Sequence, residues 1–352
     1  MKRVIPETMK AMRLHGVTQM SGNDAPLELE DVEVPRPGPR EVLIRIIACG
    51  VCHTELDEIE GRTAPPRLPV IPGHQVVGEI VESGPQSDPG SLGKLVGVAW
   101  IYSACGHCTY CEDGLENLCA EFTATGRDKD GGYAQFMVAP AEFVTCLPDG
   151  MDVVYAAPLL CAGAVGYRSL KLAGISGRQS LGLTGFGASA HLVLQMSKSL
   201  YPAARIAVFA RDEQDRNFAR SLGAEWAGDT GDDCPFGLDA IIDTTPAWLP
   251  VTSALKQLNA GGKLVINAIR KEDHDRSALL DLDYASQLWM EKSVRSVANV
   301  TRNDVKECLE LAARSGIRPT LTRHELRQAN HALSLIKQGG TTGAHVLIMD
   351  AD

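Results

Sequence analysis

Four of the ten cysteines crowd into one short stretch, CGHCTYCEDGLENLC, where Cys105, Cys108, Cys111 and Cys119 stand as C-x2-C-x2-C-x7-C. Zinc takes four soft, deprotonated ligands at the corners of a tetrahedron, and C-x2-C steps in a tight loop can supply them. The turn formers Gly106, Asp113, Gly114 and Asn117 lie between these cysteines. Four thiolates close the coordination shell and leave no open position, so the chemistry implied is structural. An iron–sulfur cluster also takes four thiolates, and the spacing does not choose between the two.

A second group of reactive types, Cys49-Gly50-Val51-Cys52-His53, follows the strand-like run EVLIRIIA. C-x-x-C-H is the pattern of c-type haem attachment, which belongs to exported chains. The N-terminal MKRVIPETMKAMRLHG is basic but has no apolar stretch of the kind a secretory leader needs, so the haem reading is set aside. For the same reason a cytoplasmic location is expected, with the cysteines acting as metal ligands, reactive thiols or small core residues rather than disulfides.

A third motif is Gly185-Phe186-Gly187-Ala188-Ser189-Ala190, which matches G-x-G-x-x-G/A between a strand and a helix. The first glycine makes the turn, the second lets the backbone approach a pyrophosphate, and a small third residue lets helix pack on strand. The helix N-terminus then offers free N–H groups to the phosphate. An NAD-binding unit carries an acidic residue at the end of the next strand. Here that strand, RIAVFA, ends on Ala210-Arg211, and an arginine there suits a 2′-phosphate. NADP is therefore favoured over NAD, with Asp212 alongside and a solvated surface role as the alternative for Arg211.

The elements that must carry these motifs fall into two blocks. A chain of 352 residues leads us to expect two domains. Residues 9–150 hold short β-prone runs separated by Pro- and Gly-rich loops, a β-rich, barrel-like pattern, with residues 1–8 as an arm before them. From about 164, strand and helix patterns alternate (SLGLTGF, ASAHLVLQMSKSL, RIAVFA, EQDRNFARSLG, LDAIIDTT, LPVTSALKQL, GKLVINAI), as in a doubly wound parallel sheet. Near 299 the pattern changes to two amphipathic helices, NDVKECLELAARSG and HELRQANHALSLIKQ, and a final strand, AHVLIM. The net charge of −10 argues against nucleic acid and anionic membrane surfaces as partners. No apolar run is read as reaching the ~18 residues of a membrane span.

Taken together, GVCHTEL at 50–56, GHQVVGEIVESG at 73–84, the four-cysteine lobe, PLLCAGAVGY at 158–167 and GFGASA resemble the zinc-dependent medium-chain alcohol dehydrogenase family, in a less characterised bacterial branch. The resemblance spans nearly the whole chain. It implies an α/β fold: a GroES-like β-rich catalytic domain (1–163 and 299–352, with the structural zinc lobe at about 103–121) and an inserted Rossmann coenzyme domain (164–298). It implies two zincs per chain, one structural and one catalytic, the latter held by Cys52, His74 and Cys161 with an open position for substrate. Two cysteines and one histidine are the known ligand set of such sites. The implied reaction is reversible oxidation of a small alcohol to an aldehyde or ketone. Zinc acts as a Lewis acid, and hydride passes to NAD(P).

By family position, Thr54 takes the alcohol proton and passes it toward the nicotinamide ribose, His53 contacts the pyrophosphate, and Trp100 and Ile101 line the substrate pocket. Core packing is the competing role for those last two. The resemblance also implies a homodimer or homotetramer. Four positions depart from the common pattern: Gln75 for a glutamate, Glu55 for an aspartate, Asp57 for the relay histidine, and Ala344, beside His345, for a C-terminal basic residue. Asp57 is expected to face solvent within an acidic run, DEIEGR, with termination of the proton relay as its alternative. A zinc-free quinone or enoyl reductase and a non-catalytic nucleotide-binding protein are the competing functions.

Overall fold

The computed structural model describes residues 5–21, 25–339 and 343–349, so the first four residues of the N-terminal arm lie outside the described residues. The chain divides into two compact units. One comprises Met1–Cys161, Val300–Ala313 and Pro319–Asp352, the other Ala162–Asn299 and Arg314–Arg318.

The arm runs into β1 (Thr8–Leu14), which pairs antiparallel with β2 (Leu27–Glu33). Then come β3 (Glu41–Val51), α1 (His53–Ile59), β4 (Gln75–Ser83) and β5 (Leu95–Val98). The short ribbon of β6 (Ile101–Ser103) and β7 (Thr123–Ala124) flanks the cysteine lobe and its α2 (Thr109–Glu112). β8 (Phe136–Pro140), β9 (Val144–Cys146) and α3 (Val153–Pro158) complete the first stretch.

The second unit runs α4 (Ala164–Ala173), β10 (Leu181–Thr184), α5 (Ala190–Leu200), β11 (Ile206–Phe209), α6 (Glu213–Ser221), β12 (Trp226–Gly228), β13 (Leu238–Asp243), α7 (Leu249–Gln257), β14 (Leu258–Ile266) and β15 (Ser293–Ser296). The chain ends with α8 (Arg302–Ser315), β16 (Leu321–Glu325), α9 (Ala329–Gln338) and β17 (Ala344–Ile348).

In the first unit the main sheet has the order β16-β17-β3-β4-β5-β9, with β8 also paired to β3. The central β3 is buried on both faces, which is why EVLIRIIA reads as a nearly continuous apolar run. Its Leu43 and Ile44 pack with Ile80, Tyr133 and Met137 in one core. In the second unit six parallel strands take the order β12-β11-β10-β13-β14-β15, the doubly wound arrangement. Here β10 and β11 are wholly buried.

Two expectations need correction, and two strands go unread in the sequence. HELRQANHALSLIKQ is not helical throughout: His324 and Glu325 belong to β16, and the α-helix starts at Ala329. Parallel pairing of Leu321–Glu325 with β17 outweighs the local helical pattern. The edge strands β12 and β15 escape the sequence reading because they are short and, in β15, exposed. Finally, Val153–Ala173 is a helical run long and apolar enough by length and composition to cross a membrane, and its apolar 18-residue stretch is 61% buried in the protein, as in a core helix.

Candidate active site

The antiparallel β3–β4 ladder ends on the pair Gly50↔Gln75. The next residues outward, Cys52 after β3 and His74 before β4, therefore leave the sheet side by side. Gly50 keeps this end closed, because a Cβ there would meet the Gln75 side chain at 2.7 Å. Gly73, at φ +101°, turns the chain into His74, and a Cβ there would strike the Tyr133 ring at 2.4 Å. Cys161 arrives from a π-helical turn, Leu159–Gly163, that directly follows Pro158. Proline has no N–H for the helical ladder, and π turns of this kind recur at functional sites.

The ligand atoms of Cys52, His74 and Cys161 lie within 4.8 Å of one another. His74 is 1% exposed, and its Nε2 has no hydrogen-bond partner among the described residues. Its Nδ1 sits 2.5 Å from Glu55 Oε1. The other oxygen of Glu55 accepts the Cys52 backbone N–H at 2.8 Å. Burial opposes a charge on His74, yet the Glu55 carboxylate holds the imidazole well above its ordinary value. The hydrogen bond between the two thiols holds Cys52 low and Cys161 high, so they compete for one negative charge. A divalent cation relieves that competition and gives the orphaned Nε2 a partner, so these residues fit zinc.

Around this cluster, Thr54 is nearly buried, with its hydroxyl 3.6 Å from Cys52 Sγ. His53 is exposed at the first position of α1. Asp57 corrects the expectation of a solvent-facing carboxylate: it is 1% exposed and paired with Arg62 Nε at 2.5 Å. Arg62 also holds Glu60, which Lys337 of α9 reaches at 2.8 Å. The run DEIEGR looks like a solvated surface because acidic composition usually is one. Here Arg62 and Lys337 supply the countercharges that let Asp57 and Glu60 be buried.

Glu58, which the sequence reading does not single out, is also buried, and burial raises its carboxyl well above the usual range. It accepts the Trp100 indole N–H at 3.4 Å. The Trp100 ring stands edge-on to His74, 6.5 Å between centroids, and against Phe122 at 5.4 Å. Ile101 is 1% exposed within the short ribbon. Gln75 is buried and His345 pairs with His324 at 2.9 Å, so neither offers an exposed polar group.

In the cysteine lobe the four ligand sulfurs also lie within 4.8 Å of one another, with Cys105 and Cys111 Sγ 3.9 Å apart. Sulfurs this close fit a single tetrahedral ion better than a multi-iron cluster, whose terminal sulfurs would stand apart by the cluster's width. Backbone N–H groups of Cys108, Cys105 and Glu121 point at these sulfurs at 3.3–3.4 Å. Backbone donors of this kind, the one at His107 foremost, bring the Cys105 thiol down to about 6.

In the second unit Gly185 has φ +75°, and a Cβ on it would meet Thr244 Oγ1 and Thr245 Cγ2 at 2.9 Å. A Cβ on Gly187 would meet nothing within 4 Å, so this backbone faces open space. Ala190 is fully buried at the start of α5, and the Ser189 side chain does not cap that helix but donates to Ala162 O. An open glycine backbone at the start of a helix fits a pyrophosphate. Arg211 is exposed just past β11. Arg216, absent from the sequence reading, folds back to the same strand end, donating to Ala210 O at 2.7 Å and Arg211 O at 2.5 Å.

The family model for the alcohol dehydrogenase GroES-like domain matches residues 38–149. A Mycobacterium tuberculosis (strain CDC 1551 / Oshkosh) protein named "Probable alcohol dehydrogenase AdhA" is 41% identical over 98% of this chain and 100% of its own. The chain belongs to the zinc-dependent medium-chain alcohol dehydrogenase family. An alcohol dehydrogenase of Geobacillus stearothermophilus is 34% identical to this dehydrogenase over 93% of the chain and 96% of its own. Among solved structures, acetophenone reductase from Geotrichum candidum NBRC 4597 in complex with NAD superposes with a TM-score of 0.83 at 26% identity, covering 98% of each chain. A cobalt- and zinc-bound thermostable alcohol dehydrogenase from Pyrobaculum aerophilum shares the fold, with a TM-score of 0.83 at 24% identity over 97% of this chain and 99% of its own. The dehydrogenase thus interconverts an alcohol with an aldehyde or ketone, using a nicotinamide coenzyme.

Proposed function

We propose that Cys52, His74 and Cys161 hold the catalytic zinc, that Cys105, Cys108, Cys111 and Cys119 hold a structural one, and that NADP is used in preference to NAD. The observation that carries the catalytic site is the buried His74 imidazole, which brings a ligand atom within 4.8 Å of the two thiols; the four clustered sulfurs of the lobe support the structural site, and the exposed Arg211 past β11 supports NADP. When bound, the ion supplies a Lewis acid for the substrate oxygen, and the nicotinamide supplies the hydride acceptor. Glu55 fixes the His74 ring and, through the Cys52 N–H, the start of α1. Thr54 takes the alcohol proton and His53 contacts the coenzyme pyrophosphate. Asp57, locked to Arg62, anchors α1 instead of carrying the proton. Trp100 forms a wall of the substrate pocket, while the buried Ile101 serves core packing. Gly185, Gly187 and Ala190 carry the dinucleotide, and Arg211 its 2′-phosphate.

Both competing functions call for loss of ligands, and all seven are retained in two clusters. The ten free thiols accord with a cytoplasmic enzyme. A homodimer or homotetramer completes the proposal.

Metal analysis of the purified protein, alongside an alcohol panel run with both coenzymes in both directions, tests it. Two zincs per chain and NADPH formation are expected. One zinc or none in folded protein overturns the two-site assignment. Cys105→Ala should cost stability or assembly, whereas Cys161→Ala should abolish turnover and leave the fold intact.

A further inference from the structure

We infer that Lys271, in the loop after β14, is a positioning residue for the coenzyme site. Its side chain is 9% exposed, and its ammonium meets the carboxylate of Asp243, itself fully buried at the end of β13. The remaining donors go to two backbone carbonyls of the turn that follows, Thr245 O at 2.7 Å and Ala247 O at 3.0 Å. One cation thereby ties a strand end to the turn leading into α7. The same loop is fastened twice more: Glu272 N–H donates to Pro246 O at 2.7 Å, and Asp275 accepts the Trp248 and Leu249 N–H groups at 2.8 Å.

That turn touches the Gly185 turn. Asp243 Oδ1 accepts the Thr184 hydroxyl at 2.6 Å, and Thr244 donates its N–H and its hydroxyl to Thr184 O, both at 2.9 Å. Thr245 bonds Asp243 through its N–H and its hydroxyl, at 3.2 and 2.8 Å. The Thr244 and Thr245 side chains are the atoms a Cβ on Gly185 would strike. All of this lies at the carboxyl ends of the adjacent parallel strands β10 and β13, where open α/β sheets bind their ligands. Without Lys271 the carbonyls of Thr245 and Ala247 lose the ammonium that ties them together, Ala247 O keeping only the Thr245 hydroxyl at 3.5 Å, and Asp243 loses its countercharge. The wall that shapes the Gly185 turn then loosens, and a glycine loop displaced by a fraction of an ångström binds a pyrophosphate poorly. The inference rests on the reading that the Gly185 turn carries the dinucleotide.

The test is fluorescence titration of the intact zinc enzyme with NADH and NADPH. Lys271→Met should weaken both coenzymes about tenfold or more, leaving zinc content and kcat at saturating coenzyme close to those of the parent. Lys271→Arg, which keeps the cation, should restore affinity to within about threefold. If Lys271→Met fails to fold because Asp243 is left unpaired, the double variant Asp243→Asn/Lys271→Met decides. It buries no lone charge, and its amide oxygen still accepts from Thr184 and Thr245. It should fold and still bind coenzyme about tenfold more weakly. A folded single or double variant with parental affinity overturns the role of Lys271. A parent enzyme that binds neither coenzyme overturns the underlying reading of the Gly185 turn instead.

Discussion

Glu55 Oε1 lies 2.5 Å from Nδ1 of His74, and the other oxygen of the same carboxylate takes the backbone N–H of Cys52 at 2.8 Å. One acidic side chain thus orients two of the three proposed zinc ligands. Glutamate in place of the family's aspartate keeps this duty, and Gln75, at the family's glutamate position, is not needed for it. Partners of this kind set metal affinity by a factor of about 10–100. Glu55→Ala is expected to weaken zinc binding by that factor in competition with a chelator. Unchanged affinity would show that the carboxylate only packs.

Thr54 and Asp57 should separate cleanly. Asp57→Asn breaks a buried pair with Arg62, so the melting temperature should fall, with a cost of about 3 kcal/mol. The alcohol-oxidation rate should change less than about threefold, whereas Thr54→Val should lower it by ~10²-fold or more. The kcat–pH profiles of both variants check this. A large rate loss in Asp57→Asn that Asp57→His restores would make the carboxylate the proton relay.

Arg211 is exposed past β11, where a carboxylate would select NAD. Losing a charge-assisted contact to phosphate costs about 1.5–3 kcal/mol. Arg211→Ala should therefore raise the KM for NADP about 10- to 100-fold and leave NAD nearly unchanged. Because Arg216 holds the same strand end, its carbonyl contacts should keep the backbone in place in that variant. A parent enzyme that already uses NAD better defeats the assignment.

Burial, with the neighbouring His324 and His331, brings His345 from its ordinary 6.5 down to about 4. Between those values the unfolded chain binds a proton at this site that the folded chain refuses. The folded state therefore has its full advantage above about pH 6.5 and loses it as the pH falls toward 4, by about 1–3 kcal/mol. His345→Asn, which keeps a polar atom facing His324, should flatten the fall of melting temperature over that range. An unchanged slope would place the acid sensitivity elsewhere.

Features whose parts are neighbours along the chain could be read from the sequence. The cysteine lobe supplies all four sulfurs from one loop with its own turn residues, and GFGASA contains its whole turn and helix start. The buried parallel strands announced themselves as unbroken apolar runs. Other features exist only because distant segments meet. The proposed catalytic cluster draws on the end of β3, the residue before β4 and a π turn, and family likeness rather than spacing points to it. DEIEGR reads as solvated surface until Arg62 and Lys337 are placed against it. His324 and Glu325 follow a helical pattern until β17 offers them a strand to pair with. Lys271 and Asp243 carry no local signal, since a buried charge is tolerable only where its partner already stands, and tertiary structure alone decides that.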